Sequence, residues 1–284
     1  MASGLMIILI NKATKLSHEF LRLPKEYKAT IRFGIETDTL DIEGNIISEK
    51  DISGLNIENI NEVLTGFIGK IKQVPPMYSA LKHNGKPLYK IARSGISVER
   101  KSRDIEITGI KVIDFDGCQL TVKVGCSSGT YIRTLASDIG KALKTGAALS
   151  VLERTKIGSF SLDQSVRLKK LLNIAEMDNM AEESNMIIGI EELLINNPSI
   201  YIKEIFEKAV KNGKRIRVDM IDSGKTDISG LCRSLENDST CFGRIVPVKS
   251  SSGEVLAVHF MISEIAPDNK ESFKQEFTKS IVIF

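Results

Sequence analysis

The residue whose position most needs explaining is Arg133. It follows the turn Ser127-Ser-Gly-Thr130, where Ile132, Leu135, Ala136 and Ile139 open a helical stripe, so its guanidinium falls in a first helical turn. A cation there opposes the helix dipole by a few tenths of a kcal/mol up to about one. Something must offset it, either a carboxylate brought in by the fold or a substrate phosphate drawn to the same helix end. A second chemical signal is a run of charge. Between Lys82 and Arg103 stand Lys82, Lys86, Lys90, Arg93, Arg100, Lys101 and Arg103 against Glu99, a net +6 inside a chain whose total is +3. Tyr78 and Tyr89 are interleaved with this run. Phosphate-neutralising cations beside stacking aromatics suit a nucleic-acid strand, although a charge run is also what a solvated face looks like.

Other chemistries find little support. Cys118, Cys126, Cys232 and Cys241 show no C-x-x-C spacing, and His18, His83 and His259 are scattered, so neither a zinc site nor a redox pair is expected. The apolar run Leu5–Ile10 is six residues long with Lys12 and Lys15 behind it, the reverse of a secretory signal, and reads as a strand. No run approaches the roughly 18 apolar residues of a membrane span, so a cytoplasmic protein without membrane association is expected. With 42% hydrophobic and 26% charged residues, the 284-residue chain is ordinary globular material, long enough for two domains.

The elements that must position these groups follow from periodicity. Ala13, Leu16, Phe20 and Leu21 give a helix stopped by Pro24. Tyr27, Ala29, Ile31 and Phe33 alternate with Lys28, Thr30 and Arg32, a half-buried strand. Residues 34–44 form a loop carrying Asp38 and Asp41. Ile60, Val63, Leu64, Phe67, Ile68 and Ile71 predict one helix, broken at Gln73-Val-Pro-Pro-Met-Tyr78. Strands are expected over 104–115 and 119–125, the latter with Leu120, Val122 and Val124 on one face, and another after Gly146. A helical, acidic stretch runs from 168 to 194. Asn196-Asn-Pro198 then marks a domain boundary, followed by a β-rich module with a turn at Asn212-Gly213 and a hairpin over 242–260.

Several segments in order match one family: Ala2-Ser-Gly4, Ala13-Thr-Lys15, Lys25-x-Tyr27, Thr37-Asp-Thr-x-Asp41-x-x-Gly44, Val74-Pro-Pro-Met-Tyr-Ser-Ala-Leu-Lys82 with Gly85-Lys86 and Leu88-Tyr89, Gly129-Thr-Tyr-Ile-Arg133, and Leu152-x-Arg154 with Gly158-x-Phe160. The chain resembles the bacterial tRNA pseudouridine synthase B (TruB) family. The resemblance implies an α+β protein. A pseudouridine synthase domain over 1–195, a mixed, mainly antiparallel sheet with flanking helices, carries an RNA-gripping insertion at about 75–103. A PUA-like RNA-binding domain follows over 196–284. It implies isomerisation of uridine 55 in the tRNA T-loop, with no cofactor and no metal, by a monomer that grips the T-arm. Residue by residue, Tyr27 would stack on the target base, Arg133 would pair with the catalytic carboxylate, and Asp41, with Asp38 nearby, would support the site. Lys15, Tyr78, Lys82, Lys86, Tyr89, Tyr131, Leu152 and Arg154 would bind substrate. Residue types alone also permit Tyr27 as a core aromatic and Asp38 and Asp41 as turn formers.

Departures matter as much. Asn11-Lys12 stands where the family usually has Gly-Glu, and Glu153 where arginine is usual. In the family motif Leu-Asp-Pro-x-Ala-x-Gly, Ala2 and Gly4 fill the last fixed positions, so the nucleophilic aspartate would fall ahead of Met1. The expectation is therefore of a start assigned to an internal methionine, with Arg133 facing no partner. A catalytically inactive tRNA-binding protein is the alternative, and a metabolic enzyme with a phosphate site at the Ser127–Thr130 turn a more distant one.

Overall fold

The computed structural model describes residues 2–176, 187–194, 199–212, 214, 216, 218–226, 245–260 and 281–283. In chain order its elements begin with β1 (Ala2–Gly4), α1 (Ser17–Arg22), β2 (Lys25–Phe33), β3 (Ile35–Thr37), β4 (Ile46–Glu49), α2 (Ile57–Thr65) and β5 (Gly69–Gln73). Then come β6 (Lys82–His83), β7 (Lys86–Pro87), α3 (Leu88–Arg93), β8 (Arg103–Phe115), β9 (Gln119–Cys126), α4 (Ile132–Ala142), β10 (Ala147–Ile157), β11 (Phe160–Ser161) and α5 (Leu168–Glu176). Four strands follow in the C-terminal part: β12 (Ile200–Tyr201), β13 (Ile245–Lys249), β14 (Val255–Phe260) and β15 (Ile281–Ile283).

Contacts divide the chain into two units, Met1–Ile7 with Leu21–Ser165, and Ile8–Phe20 with Val166–Phe284. In the first, one sheet runs β1-β10-β2-β9-β8-β5, with β11 beside β10. β1 lies parallel to β10 and the other pairs are antiparallel. Alternation decides the faces. Ala29, Ile31 and Phe33 of β2 are buried, as are Leu120, Val122 and Val124 of β9 and Ile105 and Ile107 of β8. Over this face lie α2 and α4, contributing Ile60, Leu64, Ile132, Leu135, Ala136 and Ile139. Each buried Ile, Leu, Val or Phe among them stabilises the fold by about 1.5–3 kcal/mol through burial. On the opposite face Thr30 and Thr121 share a hydroxyl hydrogen bond of 3.1 Å and Arg32 is exposed.

Two expected elements differ. The helix predicted through Ile71 ends at Thr65 with Gly66 as its cap, Gly69 takes φ +100°, and residues 69–73 become the edge strand β5. Gly69, at positive φ, turns the chain out of the helical path, and Ile71 pairs with Ile105 of β8 instead of extending the helical stripe. The strand expected at Leu5–Ile10 is also displaced. Pairing with β10 involves Ala2–Gly4, and Leu5–Ile10 has no regular structure, with Met6, Ile8 and Ile10 more than half exposed. An apolar run is not a strand unless an edge is free to receive it.

The second unit holds a sheet ordered β12-β13-β14-β15. Ile200, Ile202, Val210, Met220 and Val248 are fully buried there. The hairpin expected between 242 and 260 is β13–β14, whereas Asn196–Pro198, Gly213, Cys232 and Cys241 lie outside the described residues. Among the described residues no helix is long and apolar enough to cross a membrane.

Helix α4 approaches β10 closely enough that a Cβ on Gly140 would sit 2.3 Å from the Ala147 nitrogen and 2.5 Å from the Ala147 Cβ. Backbone cannot yield as a side chain does. Gly140→Ala is expected to lower stability by roughly 1–3 kcal/mol in urea unfolding, whereas Gly109→Ala, whose Cβ would meet open space, is expected to leave stability unchanged or raise it by up to ~1 kcal/mol.

Candidate active site

The turn after β9 and the start of α4 meet the Asp41 loop, the middle of β10, Tyr27 of β2 and Ala2 of β1 around a cavity of about 450 Å³. That volume suits a small ligand or one nucleotide. Its lining includes Ala2, Tyr27, Asp41, Tyr131, Arg133 and Leu152.

The loop between β3 and β4 is built by its own polar groups. Asp38 accepts hydrogen bonds from the Asn45 backbone (2.9 Å) and the Asn45 amide (3.2 Å), so its role is to close the turn. Gly44 has no room for a side chain. A Cβ there would lie 2.2 Å from Thr39 Oγ1 and 2.4 Å from Asp38 Oδ1. Asp41 is fixed against β10, with the Ile42 N–H donating to the Leu149 carbonyl (2.9 Å) and the Leu149 N–H donating to the Leu40 carbonyl (3.0 Å). Its Oδ1 accepts from the Thr39 hydroxyl at 2.7 Å and the Glu43 N–H at 3.2 Å.

Across the cavity, Arg133 Nη1 reaches Asp41 Oδ2 at 2.9 Å, with 26% and 20% of the two side chains exposed. The other arm, Nη2, donates to the Tyr78 carbonyl at 2.7 Å. The compensating carboxylate required by the helix position is therefore Asp41. This corrects the expectation that Arg133 faces no partner: chain spacing of 92 residues hid the contact. The helix itself has no side-chain cap and no acid in its first turn. A residue not singled out from sequence supplies part of what is missing. Gln73, 3% exposed, donates from Nε2 to the Tyr131 carbonyl (3.1 Å) and accepts from the Tyr131 N–H at Oε1 (2.8 Å). Its one sequence signal is its place at the end of a strand just before Val74-Pro75-Pro76.

Tyr27 shows one edge to the cavity and packs its other side on the core. Burial pushes its phenol up from the ordinary value; the neighbouring Cys126 thiol adds to this, and a hydrogen bond from Arg154 works the other way. The Cys126 thiol is 1% exposed, and burial pushes it up to about 11. Burial also lowers the Lys25 ammonium, and the Arg154 charge acts in the same direction. Lys25 faces Cys126 and Tyr27 faces Arg154 across the sheet. Arg154 Nε donates to the Leu5 carbonyl at 2.8 Å.

The fold thus gathers Tyr27, Asp41, Tyr131, Arg133 and Leu152 at one cavity. Tyr78 joins through its backbone, and Arg154 lies one contact behind Tyr27. Lys82 and Lys86 are exposed on the β6–β7 hairpin, which turns through Asn84 and Gly85, both at positive φ. Tyr89 lies on α3 with the Arg93 guanidinium 5.7 Å above its ring. Lys15 belongs to the other unit, on a short 3-10 helix. Among the described residues no group of three or more His, Cys, Asp or Glu side chains is placed to hold a metal ion.

Residues 1–132 match the family model described as TruB family pseudouridylate synthase (N terminal domain), and residues 133–195 match the tRNA pseudouridylate synthase B C-terminal domain. Curated relatives agree. The tRNA pseudouridine synthase B of Bordetella avium (strain 197N) is 49% identical over 172 residues, 60% of this chain and 70% of the relative. The chain belongs to the TruB family. The tRNA pseudouridine synthase B of Francisella tularensis subsp. novicida (strain U112) is 46% identical over 199 residues, covering 70% of this chain and 65% of that protein. That of Chromobacterium violaceum is 43% identical over 204 residues, covering 72% and 65%. The chain therefore spans about two thirds of the length of these family members. Among solved structures, a Cbf5-Nop10-Gar1 complex has a similar fold at TM-score 0.63 and 23% identity, covering 92% of this chain and 67% of that one.

Two tests follow from the geometry. Asp41→Asn removes the charged partner of Arg133 and is expected to cost roughly 1–3 kcal/mol in urea unfolding. For Cys126, burial pushes the folded thiol up from its ordinary 9.0 to about 11. Its contribution is intact below pH 9 and is lost as pH rises towards 11. Wild type should lose up to about 3 kcal/mol relative to Cys126→Ala across that window, read from urea midpoints at each pH.

Proposed function

We propose that the chain is the major part of a tRNA pseudouridine synthase, acting on uridine 55 of the T-loop. The observation that carries this reading is the convergence of Tyr27, Asp41, Arg133 and Leu152 on one cavity, with Asp41 and Arg133 paired at 2.9 Å. The reaction is an isomerisation. The bond from ribose C1′ to uracil N1 breaks, the base turns, and C1′ bonds to C5. A proton leaves C5 and N1 gains one, so no oxidant, cofactor or metal is called for. The base must first leave its stack, at a cost of a few kcal/mol, and an aromatic such as Tyr27 with an apolar wall at Leu152 offsets that cost.

Phosphate contacts would come from residues 75–103, where Lys82 and Lys86 are exposed on their hairpin. Tyr78, Tyr89, Tyr131, Arg154 and Lys15 complete the proposed RNA contacts. The family models cover residues 1–195, which we take as the synthase domain, and we assign residues 196–284 to a PUA-like RNA-binding domain. We take the enzyme to be a cytoplasmic monomer acting on the T-arm.

Asp41 is not our candidate nucleophile, because it stands in the Thr37-Asp-Thr-x-Asp41-x-x-Gly44 segment and not in the Leu-Asp-Pro-x-Ala-x-Gly segment that carries the family's attacking carboxylate. Ala2 lines the cavity, and in the family motif the attacking aspartate stands three residues before that alanine. The engaged state of Asp41 equally favours a second reading, that residues 1–284 by themselves bind tRNA without modifying it. Tritium release from tRNA carrying uracil labelled at C5 separates the two. An extended chain bearing Leu-Asp-Pro ahead of Met1 is expected to release tritium, and the 284-residue chain to release none. No release from either would sink the synthase reading. For binding, replacing Lys82 and Lys86 by Gln is expected to weaken tRNA association and lower the slope of log K against log salt by about 2.

A further inference from the structure

We infer that Gln73 is a positioning residue for Arg133, acting through a closed ring of covalent and hydrogen-bonded links that sets where the guanidinium sits in the cavity. The inference rests on the role proposed for that cavity but is argued from geometry alone. Gln73 ends β5, and its backbone pairs with Arg103 of β8, so its own position is set by the sheet. Its amide then grips both backbone groups of Tyr131 at 3.1 and 2.8 Å, as the edge of a neighbouring strand would. The Tyr131 carbonyl also accepts from Leu135 at 3.1 Å, the first bond of α4, so both its lone pairs are used. Two residues on, Arg133 donates to the Tyr78 carbonyl at 2.7 Å. From Tyr78 the chain returns to Gln73 through Met77, Pro76, Pro75 and Val74.

That return path is stiff. Two consecutive prolines restrict φ, and the Pro75 carbonyl accepts from Arg100 Nη1 at 3.1 Å, tying down the far end of the basic insertion as well. With the ring closed, Arg133 reaches the Tyr78 carbonyl with one arm and Asp41 with the other. With Gln73 shortened or made apolar, the partly buried Tyr131 N–H loses its acceptor and the start of α4 is free to shift or rotate. A displacement near 1 Å at a reacting group costs on the order of 100-fold in rate. The ring also joins the first residues of the proposed RNA-gripping insertion to the cavity, so the same amide serves both.

The test is the exchange of the Arg133 guanidinium protons, followed by NMR on the 284-residue chain. Slow exchange is expected in wild type. In Gln73→Leu it should accelerate at least tenfold, while Asn56→Ala, which weakens α2 by removing its cap on Asn59, should leave it unchanged. Gln73→Glu supplies the discriminating arm. A protonated carboxyl can donate to the Tyr131 carbonyl as the amide does, but a carboxylate cannot. Its exchange rate, taken as a ratio to wild type at each pH, should approach one below the carboxyl titration and the Gln73→Leu value above it. Wild-type exchange in Gln73→Leu, or a pH-independent ratio in Gln73→Glu, overturns the inference. In the extended chain, Gln73→Leu should lower kcat by about 10- to 100-fold with KM for tRNA little changed. Gln73-dependent exchange supports the inference whether or not any chain makes product, so failure of the synthase reading shows up separately, as absent tritium release.

Discussion

A guanidinium held at the start of a helix is unfavourable unless something negative meets it, and the rest of the site is arranged around that constraint. Arg133 lies where the α4 dipole repels it. Asp41 offsets the repulsion, and for Asp41 to be there the β3–β4 loop must be closed by Asp38 and Asn45, kept narrow at Gly44, and fastened to Leu149. The second arm of Arg133 takes the Tyr78 carbonyl, so the segment leading into the basic insertion is held by the same side chain. A partly desolvated ion pair contributes little net stability. Its value here is placement, with a cation and a carboxylate presented together at a cavity of nucleotide size.

The sheet supplies the stiffness this placement needs. Its strands β2, β9 and β10 lie side by side, and the alternation that buries Ala29, Ile31 and Phe33 brings Tyr27 to the end of the same face, half in the core and half in the cavity. Behind it Lys25, Cys126 and Arg154 form a layer in which burial opposes charge on the lysine and on the thiol. Arg154 ties this layer to the chain at Leu5.

Much of this was legible beforehand, and the failures have physical reasons. The faces of β2 and β9 and the stripe of α4 followed from periodicity, because one-sided burial imposes period 2 on a strand and 3.6 on a helix. The α2 stripe ends short of its periodicity, since Phe67, Ile68 and Ile71 keep helical spacing while Gly69, at φ +100°, turns the backbone out of the helix. Leu5–Ile10 has strand composition, but a strand forms only where pairing is offered, and β10 offers it to Ala2–Gly4. Gln73 escaped notice because a buried amide gripping a distant backbone leaves no periodic trace.

Residue order alone determined the family, the half-buried face carrying Tyr27, the concentration of positive charge between Lys82 and Arg103, and the demand that Arg133 be neutralised. Each rests on neighbours in sequence, where spacing maps directly onto geometry. Which group answered the demand was decided only in three dimensions. Asp41 stands 92 residues from Arg133 and Gln73 stands 58 from Tyr131. Separations of that size carry no geometric information until sheet register and helix packing bring the ends together.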